Sequence, residues 1–374
     1  MTSLSLRIPP RDLKGRAMNT EIIKLSSDAV EFGRLTASDR DSIAKCAEVI
    51  KRGGLVVFPT ETVYGLGGDA TNPKSAEAIY AAKGRPSDNP LIIHISTPDE
   101  AEKYAATCEL YYKLAERFMP GPLTVILPSK DSVPHKTRGG LSTVAVRCPS
   151  NKIASLLIKL SGVAIAAPSA NLSGSPSPTT PGHAIDDMMG RVDMIIEGGE
   201  CDFGLESTIV KIEDDGTLCL LRPGRITVEE LLEVAPVEVA DAVTSSLREG
   251  EVALSPGMKY RHYAPKAPLV LLDGELSDCI RFVSASGEPR AAIMCYTEDI
   301  PKASVALPDV AVYDLGGRGE YAVIAHRLFS LLRDADKHSH KIIYAPLPEK
   351  DGVSLAIYNR LIRAAAHTII NLRG

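Results

Sequence analysis

The 374-residue chain contains no apolar run approaching the roughly 18 residues of a membrane-spanning helix. Its first 18 residues lack the apolar centre of a secretory signal. Seven cysteines, at 46, 108, 148, 201, 219, 279 and 295, form no C-x-x-C pair. That odd, unpaired set implies buried thiols in a reducing compartment, hence a cytoplasmic location, and no structural zinc. His338 and His340 stand in a Lys/Asp/Ser stretch without companions at ligand spacing, which reads as solvent-exposed histidine rather than a metal site. Excess positive charge is missing too: the formal net charge is -5, so a general nucleic-acid binder is excluded and any such contact must be local. The Walker A pattern, G-x-G-x-x-G and G-x-S-x-G are all absent, which removes a P-loop, a dinucleotide fingerprint and a serine nucleophile elbow.

What remains is an ordinary globular composition, 44% hydrophobic and 24% charged, in a chain long enough for two domains. Residues 1–20 are expected to be a flexible extension. Arg7, Arg11, Lys14 and Arg16 outnumber Asp12 there, Met18 offers a second start, and an organelle transit peptide is the alternative. Residues 21–225 are expected to form an α/β domain with a mixed twisted sheet. Strands are read at 55–58, 91–95, 123–127, 143–148, 163–167, 194–197 and 208–212, with an Asp214-Asp-Gly216 hairpin turn into 218–221. Helices fit 109–118, 150–161 and 228–234, and Asn72-Pro73 caps one that runs to Lys83 before Gly84. Thr97-Pro98-Asp99-Glu100 gives another helix start. Residues 226–266 read as a linker or lid. From 267 to 374, strands at 268–272, 291–296, 309–314 and 341–345 alternate with helices at 276–285, 319–336 and 353–370, as in a small Rossmann-like, doubly wound domain.

Several segments carry chemistry. Lys83 and Arg85 flank a Gly/Pro-punctuated turn and suit an anion, Arg85 bidentately; the bland alternative is a solvated helix end. As a solvated cation, Lys83 would contribute little to stability. Gly65, Gly67 and Gly68 would let backbone approach a ligand, or simply make a tight turn. Ser169, Asn171, Ser173 and Ser177 present short polar groups on a loop after Pro168, for phosphate or ribose recognition or as a plain surface loop. Arg147 at a strand end, and Arg222 after the hairpin, must find an anion: a ligand or an internal carboxylate.

Taken in order, PTETVYGLG (59–67), KGRPSDNPL (83–91), MPGPLTVIL, APSANLSG, ESTIV and LRPG resemble the YrdC-type domain of the L-threonylcarbamoyladenylate synthases, from about residue 38 to 225. SPGMKYRHYAP with the trailing α/β segment resembles the long, two-domain members of that family. The resemblance implies a nucleotidyltransferase making threonylcarbamoyl-AMP and pyrophosphate from L-threonine, bicarbonate or CO2, and ATP. That product serves threonylcarbamoyladenosine modification of tRNA beside the anticodon, through downstream transfer proteins, with at most weak tRNA contact. Lys83 and Arg85 are then the catalytic cations. ATP would be held by Lys83, Arg85, Asn89, Thr143, Ser169, Asn171, Ser177, Arg222 and Tyr263, and L-threonine by Thr62, His94, Arg147, Ala167 and Ser207. Magnesium would travel with the ATP phosphates rather than in a protein cage. Residues 255–265 would close over the cleft as a lid. Three alternatives are an RNA-binding module without catalysis; a hydrogenase-maturation carbamoyltransferase, whose zinc-finger segments need C-x-x-C pairs this chain lacks; and a purely regulatory or scaffold role for the C-terminal domain, whose Rossmann-like form without G-x-G-x-x-G implies no dinucleotide.

Overall fold

The computed structural model describes residues 18–245 and 263–373. The first part of the chain contains β1 (Glu21–Lys24), α1 (Ser27–Phe32), α2 (Ala37–Lys51), β2 (Val56–Phe58), β3 (Gly65–Asp69), α3 (Pro73–Lys83), β4 (Ile92–His94), α4 (Glu109–Phe118), β5 (Leu123–Pro128) and β6 (Thr143–Arg147). It continues with α5 (Lys152–Ser161), β7 (Ile165–Ala166), α6 (Pro181–Met188), β8 (Met194–Glu197), β9 (Thr208–Ile212), β10 (Leu218–Arg222), α7 (Val228–Leu232) and β11 (Val237–Val239). These strands form one 11-stranded mixed sheet in the order β1-β8-β2-β3-β7-β4-β6-β5-β9-β10-β11.

Local signals start and stop the helices that matter to the site. At α3, the Asn72 side chain accepts from Lys74 N–H, Pro73 occupies the first turn, and Gly84 turns left-handed at φ 63° to end the helix. On one face of the sheet, α2 and α5 bury Ile43, Ile50, Leu157 and Ile158 against β2 and β8. Each such side chain contributes about 1.5–3 kcal/mol of burial. The opposite face packs α3, α4 and α6 around Ile79, Leu114 and Met188.

The second part contains β12 (Leu269–Asp273), α8 (Leu276–Ser286), β13 (Ala291–Cys295), α9 (Ile300–Ala306), β14 (Ala311–Asp314), α10 (Tyr321–Lys337), β15 (Ile342–Pro346), α11 (Ser354–Ala364) and β16 (Ile369–Asn371). Its five strands are all parallel, in the order β14-β13-β15-β12-β16. The expected pairing of a large mixed-sheet domain with a smaller parallel α/β domain therefore holds.

Three local expectations change. The helix read to 370 ends at Ala364: Ala366 and His367 adopt left-handed φ of 47° and 62°, and the chain returns as β16 beside β12. The Thr97 start leads into a short 3-10 segment rather than an α-helix. The Gly65–Gly68 stretch is strand β3, paired with β2 on one side and β7 on the other. The first sheet also gains β11, inside the stretch read as linker. Most of the proposed lid, 255–262, lies outside the described residues.

Candidate active site

A cleft opens where the ends of β3, β4, β6 and β10 meet the loop after β7. Lys83, Arg85, Arg147 and Arg222 line it, together with His94, Ala167, Ser169, Asn171 and Tyr263. Nine of the residues expected to bind substrate thus share one cavity, although they are spread from 83 to 263 along the chain.

Lys83 is not a solvated helix end. It is 3% exposed, and its Nζ donates to Asn171 O at 2.6 Å, to Asn171 Oδ1 at 3.3 Å and to Ser169 O. The serine loop folds over the end of α3, and Ser173 N–H bonds Lys83 O at 2.9 Å. Burial, reinforced by neighbouring Arg85, holds the Lys83 pKa well below its ordinary value. Arg85 is half-buried, and its Nη2 donates to Pro90 O at 3.1 Å.

The serine loop is held from within. Ser169 Oγ donates to Asn171 Oδ1 at 2.5 Å, while Asn171 Nδ2 donates to Leu172 O and Ser175 O, both at 2.8 Å. Opposite it, Arg222 at the end of β10 donates through Nε to Ser207 O at 2.9 Å and through Nη2 to Ser207 Oγ at 3.0 Å. Burial lowers its pKa to about 10, which leaves it charged at neutral pH. Gly224 explains the last letter of the LRPG motif: a Cβ there would sit 2.4 Å from Thr208 N and 2.8 Å from Glu206 O. Only glycine lets the turn after Arg222 press against the ESTIV backbone.

Arg147 and Glu61 form a buried ion pair, with Nη2 and Oε1 2.8 Å apart. The two are close but not aligned as a hydrogen bond; Arg147 Nε and both Glu61 carboxylate oxygens have no hydrogen-bond partner among the described residues. Nearby His94 is equally buried, and its Nδ1 is likewise unpartnered. Burial and the Arg147 charge push its pKa to about 3, so the ring is neutral at physiological pH. Unused polar atoms in such a place each cost about 1–3 kcal/mol unless a ligand or water meets them.

Several expected residues stand elsewhere. Ser177, Ser207 and Thr62 lie behind the lining: Ser177 donates to Glu206, Ser207 orients Arg222, and Thr62 shares a 2.8 Å hydroxyl contact with cleft-lining Thr60. Asn89 is buried with both amide atoms lacking a partner among the described residues, beside the Arg85 turn. Thr143 begins β6 at the end opposite Arg147, roughly 13 Å along the strand, and is not among the lining residues. Tyr263 is 5% exposed, stacks on Phe329 of α10 with centroids 5.3 Å apart, and holds a left-handed φ of 63°. A bulky residue keeps such a backbone only where its surroundings enforce it. Glu61 in PTETVYGLG and Glu206 in ESTIV are two further buried carboxylates at the cleft, and no local pattern in the sequence marks either one. Among the described residues, no group of three or more His, Cys, Asp or Glu side chains is arranged to hold a metal ion. No helix among them is long and apolar enough to cross a membrane.

Residues 48–224 match the Sua5/YciO/YrdC family, described as "Telomere recombination", and residues 226–366 match the family described as "Threonylcarbamoyl-AMP synthase, C-terminal domain". A Pyrococcus abyssi protein named threonylcarbamoyl-AMP synthase is 41% identical over 335 residues, 87% of this chain and 94% of its own length. The chain belongs to the threonylcarbamoyl-AMP synthase family. The synthase of Bacillus subtilis is also 41% identical, over 88% of this chain and 94% of its own. That of Schizosaccharomyces pombe is 32% identical over 87% and 89%. The crystal structure of P. abyssi Sua5 complexed with L-threonine superposes with a TM-score of 0.83 at 38% identity, covering 95% of this chain and all of that one. Both domains of the family are therefore present in this chain.

Proposed function

We propose that the cleft makes threonylcarbamoyl-AMP and pyrophosphate from L-threonine, bicarbonate or CO2, and ATP. The observation that carries this reading is the convergence of Lys83, Arg85, Arg147 and Arg222 in one cavity with the unpartnered polar atoms of His94 and Arg147. Three anionic reactants must meet, and cations come before any acid–base refinement.

On the threonine side, the Arg147 fork takes the carboxylate in exchange for its misaligned contact with Glu61. His94, neutral, offers hydrogen bonding without repelling the amine. The neutral amine attacks the carbon of CO2, one C=O π pair moving onto oxygen as the nitrogen loses a proton, and leaves a carbamate; with bicarbonate the C–N bond forms as a C–O bond breaks and water departs. On the ATP side, Lys83, Arg85 and Arg222 take the phosphate oxygens, with Ser169, Asn171 and Tyr263 shaping the wall and Asn89 buried behind it beside the Arg85 turn. A carbamate oxygen then attacks the α-phosphorus; the new O–P bond forms as the bond to the β-phosphate oxygen breaks, and pyrophosphate leaves. Positioning and charge stabilisation account for such transfers. Thr62, Ser177 and Ser207 act by orienting Thr60, Glu206 and Arg222. Magnesium would be held by the ATP phosphates; among the described residues no group of three or more His, Cys, Asp or Glu side chains is arranged to hold it.

The product then serves tRNA threonylcarbamoyladenosine formation through other proteins in the cytoplasm. An RNA-binding module without catalysis is not favoured: the net charge is -5, and the cations point into a small-molecule cleft. The deciding assay follows pyrophosphate release in the presence of ATP, Mg2+, bicarbonate and L-threonine. Release that depends on both threonine and bicarbonate supports the synthase; release indifferent to threonine overturns it.

A further inference from the structure

Glu206 is an anomaly in this cleft. It is a carboxylate in the wall assigned to a triphosphate, 6% exposed, and like charge there should weaken ATP binding. Its neutralising partner comes from the other domain. Arg360, in the middle of α11, is 0% exposed, and its Nε donates to Glu206 Oε2 at 2.8 Å. Nη2 donates to Glu206 O at 3.2 Å, and Nη1 donates to Pro223 O at 3.0 Å and to Asn359 Oδ1 at 2.8 Å. One guanidinium therefore ties the ESTIV segment to the LRPG turn that follows Arg222. Its central carbon also lies 5.5 Å from the Tyr263 ring centre.

The other Glu206 oxygen accepts from Ser177 of the serine loop. Arg333 of α10 reinforces that loop by donating to Pro176 O and Asp187 Oδ2, both at 2.6 Å. Val63, Phe203 and Leu205 of the first domain share a buried cluster with Phe329, Ile357 and Leu361 of the second.

A fully buried guanidinium is costly unless its donors are met, and these are met almost wholly by active-site motifs of the other domain. We propose that Arg360 is a positioning residue of the active site: it neutralises Glu206 from behind and fixes the ATP-facing wall, so the C-terminal domain is a working part of the catalytic cleft. This rests on the assignment of that wall to ATP. The groups facing Glu206 are Arg360 of α11, Arg222 of β10, Lys83 of α3, and the Ser177 and Tyr263 hydroxyls. Burial alone would raise the Glu206 pKa; Arg360 and Arg222, with the Ser177 bond, outweigh it and hold the carboxylate below its usual range.

The test compares wild type, Arg360→Met, Arg360→Lys and the double variant Arg360→Met/Glu206→Gln by steady-state pyrophosphate release. Arg360→Met should raise KM for ATP by between about ten- and a thousandfold, while KM for threonine changes less than about threefold. Its kcat/KM for ATP should recover relative to wild type as pH falls from about 8 to 6, where an unpaired buried glutamate takes up a proton. The double variant should outperform Arg360→Met, because the stranded carboxylate is gone. Arg360→Lys, which keeps the charge and loses the fork, should show a smaller KM rise and no acid recovery. That variant also carries the test if Arg360→Met fails to fold.

Unchanged ATP kinetics in Arg360→Met, or in Arg360→Lys if only that variant folds, would overturn the proposal. So would a parallel loss of all parameters with neither acid recovery nor rescue by Glu206→Gln. Wild-type protein that released no threonine-dependent pyrophosphate would instead overturn the ATP assignment itself.

Discussion

Replacing Lys83 by methionine separates two accounts of this side chain. A solvated cation at a helix end is worth at most about 1 kcal/mol. The buried Lys83 instead supplies the donor for Ser169 O and Asn171 O, with a longer contact to Asn171 Oδ1. Each carbonyl left without a donor costs about 1–3 kcal/mol, so two orphaned acceptors cost about 2–6 kcal/mol. Relief from burying a cation offsets part of that. The net destabilisation of Lys83→Met should be about 2–4 kcal/mol, read as a shift of the urea midpoint without ATP. Pyrophosphate release at subsaturating ATP should fall by at least about a hundredfold, the usual consequence of removing a donor aimed at developing charge. A midpoint shift worth less than about 1 kcal/mol would refute the structural half of this reasoning, and undiminished release would refute the chemical half.

Three further outcomes follow from the same geometry. Arg147→Lys keeps the charge beside Glu61 but loses the fork, so KM for threonine should rise by about tenfold with KM for ATP nearly unchanged in the same assay. His94 has a folded-state pKa of about 3, below its free value near 6.5. The unfolded chain therefore binds the proton first, and stability falls as pH drops through that window; His94→Gln should shrink the loss of urea stability between about pH 7 and pH 5 by on the order of 2 kcal/mol. Gly224→Ala places a Cβ 2.4 Å from Thr208 N, a backbone atom that cannot swing aside. It should lower stability by about 2–4 kcal/mol and raise KM for ATP, checked by thermal melts and kinetics together.

The site was legible where short motifs carry it, and the fold where local signals agree with tertiary ones. Asn72, Pro73 and Gly84 bracket α3 in sequence and structure alike. The Asp214–Gly216 turn joins β9 and β10 as its residues demand. By contrast, β3 is built from Gly-Leu-Gly-Gly-Asp, which has no strand propensity of its own; hydrogen bonding to β2 and β7 imposes the conformation. Helix α2 carries its own signals in the sequence: Thr36 and Asp39 form a reciprocal cap, and Ile43, Ala47 and Ile50 recur on one face. Arg360 and Arg363 interrupt an apolar run that otherwise reads as an ordinary packed helix. Nothing local says that those charges are buried, because the acceptors Glu206, Pro223 and Ala242 in the first domain lie more than a hundred residues away.

The bonds that Lys83 makes at rest have a consequence for turnover. Its acceptors are oxygens of the cleft's own loop, so on the proposed assignment an incoming phosphate meets an internal competitor. A phosphate oxygen gains only the difference between its bond to Lys83 and the one the loop gives up. Net affinity for nucleotide is thereby held down, and the ammonium stays placed for the charge that grows during reaction. On the proposed ATP assignment, loss of pyrophosphate would free Lys83 to return to Ser169 O and Asn171 O.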